Sequence, residues 1–147
     1  MNNSEETQQE ISKYDLFVQK RIQESQTTVF KAVFPGDTNH HNTMFGGTVM
    51  SYLDEVAFLT ATRFSRKPIV TVSSDKISFQ HPIPHGTIIK IVGTVSRVGR
   101  TSLDVSIDVF VESMYRDGSE RAINGTFTLV AINENKRPVP LLDYNID

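Results

Sequence analysis

The 147-residue sequence predicts a single α+β domain in which a curved antiparallel sheet of about five strands wraps one long helix. Residues 48–63 repeat apolar side chains with the 3.6-residue period of a helix. Four later stretches are β-branched or alternate polar with apolar residues, and the short turns between them favour antiparallel neighbours. One helix covers only one face of such a sheet, so a face or edge is left for a partner chain.

The chain before the long helix is expected to contain a polar extension and one strand. Residues 1–10 are rich in Gln and Glu and are interpreted as a loosely attached tail, and residues 11–25 carry apolar side chains at near-helical spacing. Residues 27–34 are β-branched and aromatic, and they end at the turn signal Pro35-Gly36. This strand leads into a polar loop over residues 36–45.

After Pro68 the pattern is that of β-structure. Residues 102–112 alternate apolar with polar side chains, which is the clearest strand signal in the chain. The prolines of residues 81–86 exclude a helix there, and the proline-interrupted end is expected at the surface. The other strands are predicted at residues 69–80, 87–98 and 122–132. The domain division is 1–25 as an N-terminal extension, 26–140 as the domain and 141–147 as a C-terminal tail.

The composition excludes several classes of protein. The sequence has no cysteine, which removes disulfides, thiolate zinc sites, iron–sulfur clusters and a cysteine nucleophile. A net charge of −2 gives no basic field for nucleic acid. No apolar run is long enough for a membrane span, and the polar start does not resemble a secretory signal. A cytoplasmic location is expected.

Asp54 breaks the apolar pattern of the predicted helix. On a helical wheel it lies within about 60° of Met50, Ala57 and Ala61, whereas Glu55 can reach solvent. A carboxylate that faces a core costs several kcal/mol unless it is paired, hydrogen-bonded or protonated. Asp54 is therefore predicted to be either a satisfied structural acid or a catalytic one.

Gly46 and Gly47 mark the start of the helix. Glycine there lets a ligand or another backbone approach, and the free N–H groups of a first helical turn can donate to an oxyanion. Glycine pairs also mark ordinary turns, so this pair indicates a functional site only in combination with Asp54, about two turns later. Together they would offer oxyanion donors and a carboxylate at a spacing suited to acyl transfer.

The loop before the helix carries Asp37, Asn39, His40 and His41. Asn39 can hydrogen-bond a carbonyl or a water, and Asp37 can hold the loop as an Asx turn. Adjacent histidines project divergently and no acidic ligand lies at a recognisable spacing, so no metal site is expected. Serine-hydrolase, phosphate-loop and dinucleotide fingerprints are absent from the sequence, and no cofactor is expected.

A basic turn separates the strands predicted at residues 87–98 and 102–112. Gly99, Arg100, Thr101 and Ser102 could hold a phosphate through guanidinium, hydroxyl and backbone N–H groups. A solvated hairpin turn accounts for the same residues, and the residues alone favour that interpretation.

Several segments, taken together, form a pattern more specific than any one of them. They are Asp37-Thr38-Asn39, Phe45-Gly46-Gly47, Leu53-Asp54-Glu55, Ala61-Thr62-Arg63, Val70-Thr71-Val72, Ile77-Ser78-Phe79 and Val98-Gly99-Arg100-Thr101-Ser102. The combination resembles the hot-dog-fold acyl-CoA thioesterases over roughly residues 27–140. The resemblance implies an enzyme that hydrolyses acyl-CoA to a free carboxylate and CoA, with CoA entering only as part of the substrate.

The resemblance also implies an assembly and roles for individual residues. Two protomers would form a dimer with active sites at the interface, and dimers would commonly assemble into hexamers. The catalytic acid falls on Asp54 and the loop asparagine on Asn39 of the opposite protomer. Amides near Gly46 and Gly47 would polarise the thioester carbonyl.

The CoA phosphates would be held by the turn from Gly99 through Arg100 and Thr101 to Ser102, with Lys76 and Arg63 as secondary candidates. Where close relatives often carry glycine in the loop, this chain has Asn42. Asparagine tolerates left-handed backbone, so the loop is expected to keep its shape.

Two alternatives stay open. Gly36-Asp37-Thr38-Asn39 is similar to the start of a hot-dog hydratase motif, which continues with proline and places a histidine three residues after the asparagine. Here those positions hold His40 and Asn42, so the match fails at the catalytic base. The other alternative is a non-catalytic acyl-CoA-binding domain, which the presence of Asp54 disfavours.

Overall fold

A computed structural model describes residues 12–144 and confirms the predicted α+β class. The N-terminal tail predicted over residues 1–10 lies outside the described residues. The long predicted helix is present and is two residues longer at each end than the sequence indicates. The elements are α1 Lys13–Ser25, β1 Thr27–Val33, a 3₁₀ helix Pro35–Asp37, α2 Gly46–Ser65, β2 Ile69–Phe79, β3 Thr87–Val98, β4 Ser102–Ser113 and β5 Ser119–Ala131.

The five strands form one antiparallel sheet in the order β1-β3-β4-β5-β2. β2 and β3 follow each other in sequence but do not pair, because the connection between them crosses from one edge region of the sheet to the other. Pro82 and Pro84 lie in this connection and cannot donate ladder hydrogen bonds. The connection is instead tied to the loop before α2, where the Met44 N–H donates to the Ile83 carbonyl over 2.7 Å.

The core lies between α2 and the inner face of the sheet, and α2 contacts all five strands. β4 shows the predicted alternation, with every second side chain from Leu103 to Val109 buried. Burial of an aliphatic side chain contributes about 1.5–3 kcal/mol, so this layer is the main stabilising contact. The buried side chains of α2 are Val49, Leu53, Val56, Ala57, Thr60, Ala61, Phe64 and Ser65.

α1 packs against the C-terminal half of α2. Ser12 caps it by accepting from the Asp15 N–H over 3.1 Å. The Arg21 guanidinium donates to the Phe64 carbonyl over 2.7 Å, and Arg63 donates to three carbonyls at the end of α1 and to a β1 hydroxyl. Arg63 is therefore a structural clamp, and its role as a secondary candidate for CoA phosphates stays a prediction.

The C-terminal segment is not simply a surface strip, contrary to the sequence-based expectation. Leu141 is 1% exposed and belongs to the core. Its N–H donates to the Arg100 carbonyl over 2.9 Å, and the Val139 N–H donates to Ala131 over 2.9 Å. The prolines exclude regular structure here but do not prevent individual leucines from packing into the end of the sheet.

β2 is the edge strand that determines where the functional site lies. Except at Ile69 and the partly buried Ile77, its side chains are exposed on both faces of the sheet. These exposed side chains include Val72 and Phe79, at 56% and 55%. An edge strand presents unpaired backbone groups, and exposed apolar side chains beside them are typical of a surface that another chain covers.

Candidate active site

An open cleft of about 630 Å³ lies between the first half of α2 and the edge strand β2. The helix contributes Gly47 and Asp54, and the strand contributes residues 71–74. Phe127 of β5 closes the floor. Two of the candidate residues predicted from the sequence, Gly47 and Asp54, therefore line the same cleft, two turns apart on one helix.

Asp54 is exposed in the single chain, so the prediction that it faces the core is wrong. It projects over β2, and because β2 is the sheet edge, solvent reaches the carboxylate from the open side. Its Oδ1 accepts a hydrogen bond from the Thr71 hydroxyl over 2.8 Å. The other carboxylate oxygen makes no hydrogen bond within residues 12–144. Glu55 is exposed as predicted.

The start of α2 carries free backbone donors, and among these residues Gly47 lines the cleft. Val49 is the first residue that donates to the helix, to the Phe45 carbonyl over 3.0 Å, so the amides of residues 46–48 have no helical partner. A Cβ added to Gly46 or Gly47 would meet no atom within 4 Å, so no other side chain crowds these two glycines. The seven residues from Gly47 to Asp54 span about 10 Å, and helical side chains tilt back toward the N-terminus.

Asn39 does not line this cleft in the described chain, and its side-chain oxygen is already used within its own loop. Oδ1 accepts from the His41 N–H over 2.9 Å and from the Thr43 N–H and hydroxyl over 3.3 Å each. The Nδ2 group donates no hydrogen bond within residues 12–144. Any contact of Asn39 with a substrate or another chain would therefore use this amide as a donor.

The rest of the loop is held by backbone contacts. The Asp37 carboxylate accepts from the Phe34 N–H over 3.0 Å, so it braces the 3₁₀ turn, while the Asx turn belongs to Asn39. Asn42 has a φ of 61°, which confirms the left-handed conformation expected for it. The rings of His40 and His41 lie 3.8 Å apart, and no group of acidic or histidine side chains within residues 12–144 could hold a metal ion.

The basic turn between β3 and β4 contains one arginine that is occupied and one that is available. Arg97 forms two hydrogen bonds with Asp104, of 2.8 and 3.1 Å, and a third with the Ser102 hydroxyl over 3.1 Å. The Arg100 guanidinium makes no hydrogen bond or ion pair within the described residues. The Gly99 N–H donates to Ser102 and Thr101 accepts from β5, so the backbone of the turn is fixed.

Two residues, Thr71 and Arg97, make contacts that no sequence pattern indicates. Thr71 lies on the strand that follows Pro68, and no spacing in the sequence indicates that it contacts a helix residue 17 positions earlier. Arg97 lies in β3 and Arg100 lies in the turn that follows, and the sequence does not indicate which of the two pairs with Asp104. The observed pairing of Arg97 with Asp104 depends on a bulge in β3. Both contacts arise from sheet register, which the sequence does not define.

An antiparallel sheet wrapped around one long helix is the hot-dog fold, and the cleft contains a carboxylate and a glycine from the first turn of the helix, residues of the kinds that acyl-transfer chemistry uses. Residues 41–116 match the family described as the thioesterase superfamily. The chain belongs to this superfamily, among its hot-dog-fold acyl-CoA hydrolases. No helix within residues 12–144 is long and apolar enough to span a membrane.

Similar proteins support this placement. The chain is 38% identical over 118 residues to the uncharacterized acyl-CoA thioester hydrolase YkhA of Bacillus subtilis, which covers 80% of this chain and 69% of that protein. The acyl-CoA hydrolase of Staphylococcus aureus, solved with butyryl-CoA and CoA, superposes with a TM-score of 0.78 at 35% identity, covering 86% of this chain and 77% of that one. A hexameric acyl-CoA thioesterase superposes with a TM-score of 0.79 at 34% identity, over 81% and 76%.

The Staphylococcus aureus hydrolase has also been solved as three alanine variants. These replace an asparagine, an aspartate and a threonine, and the asparagine variant is in complex with CoA. The three replaced positions are separated by 15 and 17 residues in that protein.

The Arg97–Asp104 pair predicts how stability responds to acid. The Arg97 guanidinium, with the Thr128 hydroxyl, holds the pKa of Asp104 below its ordinary value, against the opposing effect of burial. A lowered folded-state pKa contributes stability that is present above the ordinary carboxyl pKa and is lost as pH falls through the folded value. The melting temperature of Asp104→Asn should therefore fall less than that of the wild type between about pH 5 and about pH 3. An equal fall in the melting temperatures of the two proteins over this pH range would contradict the prediction.

Proposed function

We propose that this protein hydrolyses acyl-CoA thioesters to a free carboxylate and CoA, with Asp54 as the catalytic carboxylate. The single observation that carries the proposal is the cleft lined by Asp54, Thr71 and Gly47, the last a first-turn residue of α2 whose amide has no helical partner. A thioester carbonyl placed there would meet backbone donors on one side and a carboxylate on the other.

Spacing along the chain supports the choice of residues. Asn39, Asp54 and Thr71 are separated by 15 and 17 residues, the same separations as the asparagine, aspartate and threonine replaced in the Staphylococcus aureus hydrolase. The residue types and their order also agree. This coincidence supports a common three-residue site, and it includes the Thr71 contact that sequence patterning alone does not select.

The backbone supplies the oxyanion site. The amides of Gly46 and Gly47 have no helical partner and lie at the positive end of the α2 dipole. They would stabilise the negative charge that develops on the thioester oxygen. One donor of this kind is typically worth about 2.7–4 kcal/mol of transition-state stabilisation.

Asp54 can act by two routes. As a general base it takes a proton from water, the hydroxide adds to the carbonyl carbon, and collapse of the oxyanion breaks the C–S bond and releases the CoA thiolate, which is then protonated. As a nucleophile it adds directly, expels the thiolate and forms a mixed anhydride that water hydrolyses. The hydrogen bond from Thr71 to Oδ1 fixes the carboxylate and leaves Oδ2 for either role.

A second protomer would complete the site. The Asp54 cleft is open along the edge strand β2, whose exposed apolar side chains favour pairing with another chain. We place Asn39 of the partner protomer over this opening, where its Nδ2 group donates to the carbonyl, the water or the carboxylate. The hexameric relatives support an assembly of such dimers.

The turn that contains Arg100 is the proposed CoA phosphate site. Arg97 is neutralised by Asp104, so Arg100 is the guanidinium at this turn that remains for a phosphate. The backbone of Gly99 and Thr101 holds the turn in place. Ser102 already accepts a hydrogen bond from Arg97, so we assign its hydroxyl a secondary part as a donor.

Replacement of the carboxylate tests the activity directly. Asp54→Asn should fold and assemble normally but release thiol from butyryl-CoA at least about 100-fold more slowly than the wild type, because neither base nor nucleophile remains. Glu55→Gln is the matched control, since Glu55 is the adjacent exposed carboxylate, turned about 100° around the helix and outside the cleft lining. Wild-type turnover by Asp54→Asn would refute the assignment, and an enoyl-CoA that gains water with its thioester intact would favour the hydratase alternative.

Thr71 is proposed as a positioning residue for Asp54. Thr71→Val keeps the shape of the side chain but removes the hydroxyl, and kcat should fall about tenfold or more, as expected for loss of a hydrogen bond to a charged group. Thr71→Ser should restore most of the activity. The split between kcat and KM separates this role from a structural one: kcat should fall while the KM for butyryl-CoA stays unchanged, because the hydroxyl contacts the carboxylate and not the body of the substrate. A wild-type kcat in Thr71→Val would contradict the role.

A further inference from the structure

A small cavity of about 80 Å³ lies beside the first turn of α2, at the end of β2. Four of its lining side chains are buried and belong to the core, namely Met44, Val49, Ile83 and Ile123. Phe79 and Pro82 add to the apolar lining, Thr43 and His81 supply its polar side chains, and the last lining residue is Gly46. The cavity is therefore mainly apolar, and much of its wall is the core of the domain.

Backbone hydrogen bonds hold the walls of this cavity, so its size does not depend on a free loop. The Met44 N–H donates to the Ile83 carbonyl over 2.7 Å, which joins the loop before α2 to the connection between β2 and β3. On the strand side, Ile123 of β5 lies opposite Phe79 of β2 in the antiparallel register. A close-packed wall of this kind resists added volume, so the cavity should distinguish ligands that differ by a few methylenes.

The cavity and the active cleft meet at the two glycines that begin α2. Gly46 lines the cavity and Gly47 lines the cleft, and neither amide has a helical partner. The cleft side is open and polar, because it carries the Asp54 carboxylate and the hydroxyl side chains of residues 71, 73 and 74. A thioester whose oxygen is bound by these amides would therefore have a polar space on one side and a small apolar one on the other.

We infer that this cavity receives the acyl chain and limits it to about four carbons, with Val49 as a residue that determines chain length. The inference rests on the proposed function and adds a substrate class to it. The alkyl chain is the apolar end of an acyl-CoA, and an apolar cavity removes its surface from water. The attacking water and the amides of the CoA arm need the polar groups of the cleft instead. Val49 follows Gly46 by three residues, so the two lie on the same face of α2.

The volume of the cavity sets the expected length of the chain. A protein cavity of about 150 Å³ with aliphatic and aromatic walls holds one benzene molecule, which has six carbons. On this scale a cavity of about 80 Å³ holds about three carbons, which make a butyryl group together with the carbonyl carbon. A longer chain must push core side chains apart or leave its end outside the cavity, and overpacking of a core is unfavourable.

A wider groove at the C-terminal half of α2 is less suited to an alkyl chain. This groove has a volume of about 550 Å³ and is lined by Phe58 and Ile69, but also by Arg66 and Lys67. An alkyl chain placed there would lie beside two cationic side chains, whose hydration it would disturb. The groove provides a matched control, because Phe58→Ala enlarges it and Phe58 does not line the small cavity.

The test is thiol release from straight-chain acyl-CoAs of increasing length, from acetyl to octanoyl. In the wild type, kcat/KM should rise about fourfold for each methylene up to butyryl, as expected for burial of one methylene, and it should fall about tenfold between butyryl and octanoyl. Val49→Ala removes two methyl groups from the wall and should move the maximum toward hexanoyl. Val49→Ile adds one carbon and should move the maximum toward propionyl, whereas Phe58→Ala should leave it at butyryl.

A wild-type maximum at octanoyl would overturn the inference, as would a maximum that both Val49 variants leave in place or that Phe58→Ala moves. The position of the maximum compares rates within one preparation, so a variant with less folded protein stays informative. If no acyl-CoA of any length is hydrolysed, the proposed function fails. Calorimetric titration of the wild type with S-alkyl-CoA thioethers, which have no ester to hydrolyse, then tests the cavity independently. Tightest binding of S-butyl-CoA supports the inference, and equal or tighter binding of S-octyl-CoA, or no binding of either, overturns it.

Discussion

The edge position of β2 is the constraint on which the candidate site depends. A single 20-residue helix covers the inner face of the sheet, and strands β3, β4 and β5 are buried beneath it. β2 has a strand on one side only, so the helix face above it is open to solvent. A polar residue such as Asp54 is tolerated on this face without the desolvation cost of a core carboxylate. The same opening is what a second chain would close.

The helix α2 fixes the geometry of the chemistry. Its unpaired first-turn amides and Asp54 belong to one rigid element, so their separation does not depend on loop conformation. Thr71, across the cleft, ties the carboxylate to the sheet. By contrast, Asn39 lies on a loop that is stabilised by its own side-chain oxygen, and its amide nitrogen donates no hydrogen bond within residues 12–144. In the proposed dimer, one protomer supplies the amides of α2, Asp54 and Thr71, and the other protomer supplies Asn39.

Much of this arrangement could be predicted from sequence, because the periodicities of α2 and β4 are strong and their burial follows them. Asp54 could be selected because it interrupts an apolar stripe. The exposure of Asp54 could not be predicted, because a helical wheel does not show that the neighbouring strand is a sheet edge. The pairing of β2 with β5 rather than β3 depends on long-range contacts. The burial of Leu141 and the Thr71–Asp54 hydrogen bond depend on the same contacts, and local patterns carry no signal for them.

Each active site is proposed to use Asp54 from one chain and Asn39 from another, and complementation between two inactive variants tests this sharing most directly. Asn39→Asp keeps the oxygen that holds the loop but removes the donor, and Asp54→Asn removes the carboxylate. Each variant alone should be nearly inactive. Co-expressed in equal amounts, they should regain about one quarter of wild-type thiol release, because half of the dimers are mixed and each mixed dimer has one intact site. Mixed assemblies that stay as inactive as the separate variants would contradict a shared site.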